Sequence, residues 1–241
     1  MEVCVLSWLR GLTHPEVALP ILTGPLRGSK WIVSSSVRSC VLGTYEKDKL
    51  AQVVSFLPKG GVFYDVGAQA GYHAVLGAKR AGALGTVYAF EPLPRNQIYL
   101  RKNLALNDIR NTTMVPAAVS DRDGELCFDP GPGFMAGHLS DTSEGIRVKA
   151  VTLDYWQQTE QARPPDLMKI DVEGAEVRVL EGARRVITQH KPTILIDTHD
   201  FLGAEHAGLH QRCLATLKDY GYQKLESDHT GRFAGSIVAL P

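Results

Sequence analysis

Short apolar runs alternate with helical patterns over most of the chain from residue 62 onward. The runs 62–66, 86–90 and 112–116 have the length and composition of strands, and residues 72–81 and 94–107 between them have helical periodicity. A strand–helix–strand order favours parallel pairing, with helices covering both faces of the sheet. The pattern therefore predicts an open α/β sheet.

A second group of predicted elements follows a change in composition. Strand-like runs at 125–129 and 146–150 flank the segment 130–145, whose Gly, Pro, Ser and Asp content is typical of a loop over the substrate side of a sheet. Asn107 is expected to end its helix in a left-handed turn. The remaining pattern predicts, in order, a helix over 153–158 capped by Thr152, a strand over 167–172, a helix over 175–189, a strand over 193–198, a helix over 206–220 and a hairpin of 222–226 with 236–240.

Periodicity also divides the chain into two regions. Residues 1–59 are less regular, and we expect them to form an N-terminal extension that packs on the core. Residues 60–241 are expected to form the main domain, and the two parts a single globular unit. The 241 residues, 44% of them hydrophobic, are enough to bury one full core.

Charge and cysteine usage exclude several classes of protein. The 26 Lys and Arg residues balance the 26 Asp and Glu residues, so we expect no general nucleic-acid surface and no nucleic-acid partner. The four cysteines form no CxxC pair, which favours reduced thiols. The N-terminus lacks signal-peptide features, and no apolar stretch reaches the ~20 residues of a membrane span. We expect a cytoplasmic protein with no membrane partner, and leave a homodimer open.

A glycine-containing loop follows the first strand of the main domain. From Tyr64 to Gly71 the chain has the form strand–D-x-G-x-x-x-G–helix. Glycine lets the backbone turn sharply and approach a ligand without a Cβ in the way, as at Gly67. The helix that starts after Gly71 offers free N–H donors. These features suit any nucleotide cofactor.

Two acids beside this loop discriminate between cofactors. Asp65 ends the strand, where its carboxylate would repel a pyrophosphate. S-adenosylmethionine carries an ammonium and a sulfonium and no phosphate, so that carboxylates beside its methionine half are favourable. Glu91 ends the next strand, where an acid can accept hydrogen bonds from both ribose hydroxyls of either cofactor. Asp65 thus favours S-adenosylmethionine.

Several motifs together resemble the FkbM family of methyltransferases, from about Gly43 to the C-terminus. The most specific is the run 167–176, Leu-Met-Lys-Ile-Asp-Val-Glu-Gly-Ala-Glu, of the form K-x-D-x-E-G-x-E. The others are Gly43-Thr44-Tyr45-Glu46, residues 63–71, Phe90-Glu91-Pro92, Asn103 and Asn107, Ala118-Val119-Ser120-Asp121 and Thr152-Leu153-Asp154. Two positions depart from the family pattern: Gln69 replaces an Asn, and Asp197-Thr198-His199 replaces Glu-x-His.

The resemblance implies a class I methyltransferase fold for residues 60–241. This fold is an open, mostly parallel, Rossmann-like sheet of seven strands with helices on both faces and an antiparallel last strand. The resemblance also implies S-adenosylmethionine as the methyl donor. The acceptor it implies is a small hydroxylated molecule, often a sugar or a natural-product scaffold.

The predicted donor site combines the loop, its acids and the ends of later strands. Glu46 could instead merely begin a helix, and Ser120 stands in a sequence that fits an ordinary turn. Glu176 is interpreted as an acid that favours a helix N-terminus, and Lys169 as the partner of a neighbouring acid. The predicted cofactor-binding residues are Glu46, Asp65, Gly67, Ala68, Gly71, Glu91, Pro92, Ser120, Asp171 and Glu173.

Catalytic groups are expected where the fourth and fifth parallel strands end. In an open sheet, ligands lie outside the carboxyl ends of the strands. An alcohol is a poor nucleophile unless its proton is removed, and histidine is the usual base at neutral pH. We predict His199 as the base, with Asp197 or Asp171 orienting it or the substrate. A purely structural role for His199 is an equal alternative.

Other functions stay open. Asp171, Glu173, Asp197 and His199 could bind a divalent metal, but acids near a cationic cofactor need none, and no metal is predicted. An NAD-linked oxidoreductase would need a G-x-G-x-x-G loop, whose spacing Ala68 and Gln69 break. A catalytically inactive cofactor-binding protein is a second alternative. A base-modifying N-methyltransferase would carry an Asn/Asp-Pro-Pro-aromatic segment where residues 171–174 read Asp-Val-Glu-Gly.

Overall fold

The computed structural model describes residues 17–129, 138–140, 145–200, 207–228 and 235–241. Most of the predicted substrate loop 130–145 lies outside these residues. The strands are β1 (Ala18–Pro20), β2 (Lys30–Ile32), β3 (Val62–Val66), β4 (Thr86–Phe90), β5 (Thr112–Val115), β6 (Ala118–Val119), β7 (Gly124–Asp129), β8 (His138–Ser140), β9 (Ile146–Val151), β10 (Leu167–Ile170), β11 (Thr193–Thr198), β12 (Lys224–Asp228) and β13 (Gly235–Leu240).

Seven of these strands form the central sheet, in the order β12-β13-β11-β10-β3-β4-β5. The strands from β11 to β5 in this order pair in parallel. β13 pairs antiparallel with both β11 and β12. The predicted seven-stranded, mostly parallel sheet with an antiparallel last strand is confirmed.

The helices are α1 (Arg38–Leu42), α2 (Lys47–Phe56), α3 (Tyr72–Ala81), α4 (Pro94–Leu106), α5 (Leu153–Thr159), α6 (Glu176–Gly182), α7 (Arg184–His190) and α8 (Leu209–Asp219). The hydroxyl of Thr152 accepts a hydrogen bond from the Tyr155 backbone N–H, so the predicted cap is confirmed. The helix predicted over 175–189 is instead two helices that meet at Ala183. No helix among the residues described is long and apolar enough to cross a membrane.

The end of α4 differs from the prediction. Asn107 has φ −108°, and the left-handed residue is Asp108, with φ 53°. The side chain of Asn107 hydrogen-bonds both the backbone N–H and the carbonyl oxygen of Lys30, at 2.9 and 2.8 Å. Asn107 thus serves as a bridge from α4 to β2, a tertiary role that a local turn preference does not reveal.

Alternate residues of the central strands enter two hydrophobic clusters, one on each face of the sheet. On β3, Tyr64 belongs to the first cluster and Phe63 to the second. On β10, Met168 belongs to the first cluster and Leu167 to the second. A strand buried on both faces needs a continuous apolar run, which explains the composition of residues 62–66.

The described N-terminal elements pack on the second cluster. Trp31 of β2 is fully buried and meets the ring of Tyr72 edge-on, with centroids 5.0 Å apart. Leu50 and Val53 of α2 lie in the same cluster as Phe63. Because of this packing, residues 43–49 lie at the edge of the sheet where β3 and β10 end. The boundary at residue 59 stays a prediction.

Candidate active site

A cleft of about 890 Å³, counted with the space open to solvent, lies at the carboxyl ends of β3, β4 and β10. Ligands of open α/β sheets bind at this edge. Of the ten predicted cofactor-binding residues, those that line the cleft are Gly67, Ala68, Glu91, Pro92, Asp171 and Glu173. Those that lie beside or beneath it are Glu46, Asp65, Gly71 and Ser120.

The glycine loop has a backbone that other residues would strain. Gly67 has φ 86°, and a Cβ added there would lie 1.9 Å from the carbonyl oxygen of Asp171. Gly67 therefore allows the loop after β3 to touch the loop after β10. Gln69 is left-handed as well, with φ 49°. The family's usual Asn tolerates this conformation better than other side chains do, so the Gln at this position adds local strain.

Glu91 forms a fixed acidic wall of the cleft. Its carboxylate accepts hydrogen bonds from the backbone N–H groups of Gln69 and Leu93, both at 2.8 Å, and from Asn96 at 3.2 Å. Burial raises the pKa of Glu91 to about 7, against the lowering effect of these three hydrogen bonds. The side chain is thus held in one orientation at the position predicted for a ribose contact.

Asp65 lies beneath the loop and is fully buried. Among the residues described, neither of its carboxylate oxygens has a hydrogen-bond partner of standard geometry, although the Ala74 backbone N–H is near enough to lower the pKa. Burial nevertheless raises the pKa of Asp65 to about 6, and Lys169 only partly offsets this. Asp65 can influence a bound cation through its charge, without lining the cleft.

Glu46 confirms one of the roles considered for it, the start of a helix, and its contact with the donor stays a prediction. It begins α2, with φ 44°, and its Oε2 lies 3.3 Å from Nε2 of His73, which lines the cleft. The pair lacks hydrogen-bond geometry. Burial lowers the pKa of His73, as do the charges of Lys169 and Lys49. His73 is therefore neutral at neutral pH.

Ser120 and Gly71 have structural surroundings. The Ser120 hydroxyl is buried and hydrogen-bonds the Asp121 carboxylate at 2.8 Å, while the neighbouring Val119 lines the cleft. Gly71 begins α3 with φ 93°, and a Cβ there would lie 2.4 Å from Leu100. Both residues shape the wall, and a direct contact of either with the donor stays a prediction.

His199 and three carboxylates converge at the ends of β10 and β11, which are neighbours as predicted. Nδ1 of His199 lies 2.7 Å from Oε1 of Glu176. Nε2 lies 3.5 Å from Oδ1 of Asp171 and 3.5 Å from Oε2 of Glu173. Burial alone lowers the pKa of His199, but the hydrogen bond and the surrounding negative charge outweigh it and raise the pKa to about 9.

Glu176 has a further role besides the one predicted. It stands in the first turn of α6, as interpreted, but it is also fully buried and bonded to His199. The left-handed turn at Glu173 and Gly174, with φ 52° and 99°, precedes it, and the Gly174 N–H donates to its Oε1. The last acid of the K-x-D-x-E-G-x-E motif was a signal for this contact.

Asp197 is paired elsewhere. Its carboxylate forms an ion pair with Lys49 of α2, and the carboxylate on Nδ1 of His199 is that of Glu176. Lys49 comes from the weakly periodic N-terminal region, where no pattern of residues indicates this pair. A part for Asp197 in orienting the substrate stays a prediction.

Lys169 holds Asp171 in place. Its Nζ lies 2.9 Å from Oδ2 of Asp171, which confirms the predicted pairing with a neighbouring acid. Burial opposes the charge of Lys169, but the nearby carboxylates outweigh it and raise the pKa. Burial likewise opposes the charge of Asp171, and Lys169 and His199 lower the pKa below its usual range. Both side chains are therefore charged at neutral pH.

The same cluster has the spacing of a metal site. Ligand atoms of Asp171, Glu173 and His199 all lie within 4.8 Å of one another. Lys169 and the protonated imidazole already supply positive charge to these carboxylates, so the spacing has an explanation without an ion. The expectation that no metal binds stays a prediction.

The cleft suits a sulfonium donor better than a diphosphate. Asp171 is a carboxylate at neutral pH, and burial raises the pKa of Glu173 and of Glu91 to about 7. A cation beside these three acids favours their charged forms, whereas a pyrophosphate opposes them. Phe90, Val119 and other apolar side chains offer a wall for an adenine ring. At Gly67 a Cβ would collide with the Asp171 carbonyl oxygen, so only a glycine allows the loop to lie at this side of the cleft.

Similarity to known proteins agrees with this geometry. The hexuronic acid methyltransferase AglP of Haloferax volcanii is 27% identical over 157 residues, which cover 64% of this chain and 62% of AglP. The 2-O-methyltransferase NoeI of Sinorhizobium fredii is 29% identical over 161 residues, which cover 57% of this chain and 64% of NoeI. The chain thus spans less than two thirds of the length of these two relatives.

Solved structures share the fold. The methyltransferase FkbM from Methylobacillus flagellatus aligns with a TM-score of 0.53 at 20% identity, over 74% of this chain and 43% of that one. A SAM-dependent O-methyltransferase from Thermotoga maritima aligns with a TM-score of 0.52 at 14% identity, over 81% of this chain and 65% of that one. At these identities the likeness shows the fold alone.

A family model settles the relationship. The model described as the methyltransferase FkbM domain matches residues 65–224, which is more than half of the chain. The match includes the glycine loop and the acid–histidine cluster, which consists of Asp171, Glu173, Glu176 and His199. This match favours a methyltransferase over the alternative of an NAD-linked oxidoreductase. The chain belongs to the FkbM family of S-adenosylmethionine-dependent methyltransferases.

Proposed function

We propose that this protein is an O-methyltransferase that transfers the methyl group of S-adenosylmethionine to a hydroxyl of a small molecule, a sugar or a natural-product scaffold. The observation that carries the proposal is the placement of His199, which is buried beside Asp171 and Glu173, two acids that line the donor cleft. Two relatives support a sugar: one is named a hexuronic acid methyltransferase and the other a 2-O-methyltransferase.

In this proposal the residues that hold the donor are those that line the cleft. The carboxylate of Glu91 accepts hydrogen bonds from the ribose hydroxyls of the donor. Asp171 and Glu173 attract the donor's positively charged methionine half. When bound, the donor supplies a methyl group attached to a positively charged sulfur. The protein's contribution is alignment of the acceptor oxygen with that methyl group, which supplies much of the rate in an in-line displacement.

The second step is removal of the acceptor's proton. Nε2 of His199 takes this proton as the oxygen–carbon bond forms, and later releases it to water. A histidine with a pKa near 9 is protonated at pH 7 and is not yet a base. Positive charge placed beside Asp171 and Glu173 offsets the carboxylates that hold this proton, and so lowers the pKa of His199. His199 therefore becomes available as a base once the positively charged donor is bound.

The test is His199→Gln, with His190→Gln at the exposed end of α7 as the matched control. Labelled S-adenosylmethionine is offered with a panel of neutral sugars, uronic acids and glycosylated metabolites. We expect His199→Gln to lower kcat by about 10²- to 10⁴-fold, and to bind S-adenosylhomocysteine with a Kd within twofold of the wild type. Turnover equal to that of His190→Gln would contradict the role of His199 as base.

The wild type also decides between an enzyme and an inactive binding protein. An inactive protein would bind S-adenosylhomocysteine in calorimetry and transfer no label to any hydroxyl in the panel. Transfer to a hydroxyl, located by mass spectrometry of the product, would establish the O-methyltransferase. Transfer to a uronic acid carboxyl alone would replace the hydroxyl acceptor with a carboxylate, which needs no base.

A further inference from the structure

Glu176 forms a buried polar contact with His199 that proton removal from the acceptor does not itself require. The side chain is fully buried. Its Oε1 accepts two contacts, from Nδ1 of His199 at 2.7 Å and from the Gly174 backbone N–H at 3.1 Å. A carboxylate held by the backbone in this way has a fixed position and imposes it on the ring that it contacts.

The contact selects one tautomer of His199. An ionised carboxylate only accepts hydrogen bonds, so Nδ1 must carry a proton in order to bond to Glu176. In the neutral ring the lone pair is then on Nε2, which faces Asp171 and Glu173 at the cleft rim. Nε2 is the atom that must receive a proton if His199 acts as a base.

We propose that Glu176 is a positioning residue for His199: it fixes the Nδ1–H tautomer, so that Nε2, on the side of the cleft-lining Asp171 and Glu173, is the proton acceptor. This inference rests on the proposed function, since it assumes that His199 is the base. The arrangement has the logic of a nucleophile–histidine–acid triad, in which the acid orients the imidazole and stabilises the imidazolium without taking its proton.

Three described carboxylates lie next to the ring and raise its pKa against the lowering effect of burial. Glu176 reaches it from α6, and Asp171 and Glu173 reach it from the loop after β10. Asp171 is itself held by Lys169, so its charge persists when Glu176 is changed. A substitution at Glu176 therefore isolates the contribution on the Nδ1 side of the ring.

The test compares Glu176→Gln, which removes the charge at constant size, with Glu176→Asp, which keeps the charge. Glu181→Gln, at an exposed position of the same helix, is the matched control. The structural readout is ¹⁵N NMR of the histidine ring nitrogens in the free protein and its S-adenosylhomocysteine complex, titrated from about pH 6 to pH 10.5. The signals of His199 are assigned as those lost in His199→Gln.

The expected result has three parts. In the wild type, the neutral form of His199 carries its proton on Nδ1. In Glu176→Gln the titration midpoint falls by about one pH unit or more, and Glu176→Asp restores part of this change. With the labelled donor and an acceptor from the panel, Glu176→Gln lowers kcat by about 10²- to 10³-fold, while the KM of the acceptor and the Kd of S-adenosylhomocysteine stay within twofold.

Two outcomes would overturn the inference. One is a neutral His199 protonated on Nε2, or a midpoint in Glu176→Gln that equals that of Glu181→Gln. The other is an unchanged kcat in Glu176→Gln when His199→Gln is inactive, which removes the positioning role and leaves the proposed function standing. An active His199→Gln variant instead removes the role of His199 as base, on which this inference rests, whatever the tautomer; transfer of label to a hydroxyl by the wild type would still establish the O-methyltransferase.

Discussion

Asp65 is placed where it costs the protein stability. The carboxylate is fully buried, makes no hydrogen bond of standard geometry with the residues described, and has its pKa raised from 3.8 to about 6 by burial. Lys169, its neighbour in register on β10, offsets only part of this cost. Replacing the carboxylate with the neutral amide of Asn removes the buried charge at nearly constant shape. We therefore expect Asp65→Asn to be more stable than the wild type.

The size and pH dependence of the gain follow from the two pKa values. Well below pH 3.8 the group is protonated in both states and makes no difference. As the pH rises to 6, the unfolded chain ionises and the folded chain does not, so stability falls; above pH 6 the cost is constant. The full cost is about 3 kcal/mol, at 1.36 kcal/mol for each pH unit between 3.8 and 6. At pH 5 it is about 1.6 kcal/mol.

Urea denaturation at pH 5.0 and pH 7.5 measures both quantities. Asp65→Asn is compared with the wild type and with Asp219→Asn, which removes an exposed aspartate. We expect the free energy of unfolding to rise by up to about 3 kcal/mol at pH 7.5 and by about half of that at pH 5.0. The Kd for S-adenosylmethionine should rise, by about tenfold, because a negative charge beneath the cationic donor is lost.

The comparison refutes the reasoning if Asp65→Asn is destabilised at both pH values, because the buried carboxylate would then have partners that support its charge. An equal gain at both pH values would refute the pKa assignment. A gain in stability without loss of donor affinity would show that the charge of Asp65 does not act on the cleft.

Two further predictions concern the loop and the cluster. Gly67→Ala places a Cβ 1.9 Å from the Asp171 carbonyl oxygen at a left-handed position. We expect the free energy of unfolding, measured in urea, to fall by at least about 2 kcal/mol, and calorimetry to detect no binding of S-adenosylhomocysteine. A Kd equal to that of the wild type would contradict the close approach. Removal of divalent metals with EDTA should leave the transfer of label unchanged, since no metal is predicted; a loss of activity restored by Mg²⁺ or Mn²⁺ would show that Asp171, Glu173 and His199 hold an ion.

Local signals in the sequence predicted the scaffold of the site. Buried strands of a parallel sheet need continuous apolar runs, so β3, β4 and β10 were visible as short runs of this kind. The sheet edge at which ligands bind follows from the strand order, and it brings the residues after β10 and β11 together. The convergence of Asp171 and Glu173 with His199 was therefore predictable without coordinates.

Residues whose partners lie far away along the chain were misjudged. Glu176 occupies a helix N-terminus, where acids are common for local reasons, and only the tertiary structure shows that it is buried against His199. Asn107 has a side chain that suits a left-handed turn, but its hydrogen bonds to Lys30 give it another role. In both cases a local preference was real and a long-range contact outweighed it.

Long-range contacts from the N-terminal region also contribute charges to the site. The family match begins at residue 65, yet Glu46 reaches His73 at the cleft and Lys49 pairs with Asp197. Both side chains come from the start of α2, whose apolar residues are buried against the second cluster, so the packing of a weakly periodic helix sets two charges of the site. Burial raises the pKa of Asp197 to about 6, and Lys49 offsets part of this rise. Because Lys49 also contributes to the lowered pKa of Asp171, the electrostatics of the acid–histidine cluster depend on residues that lie outside the matched domain.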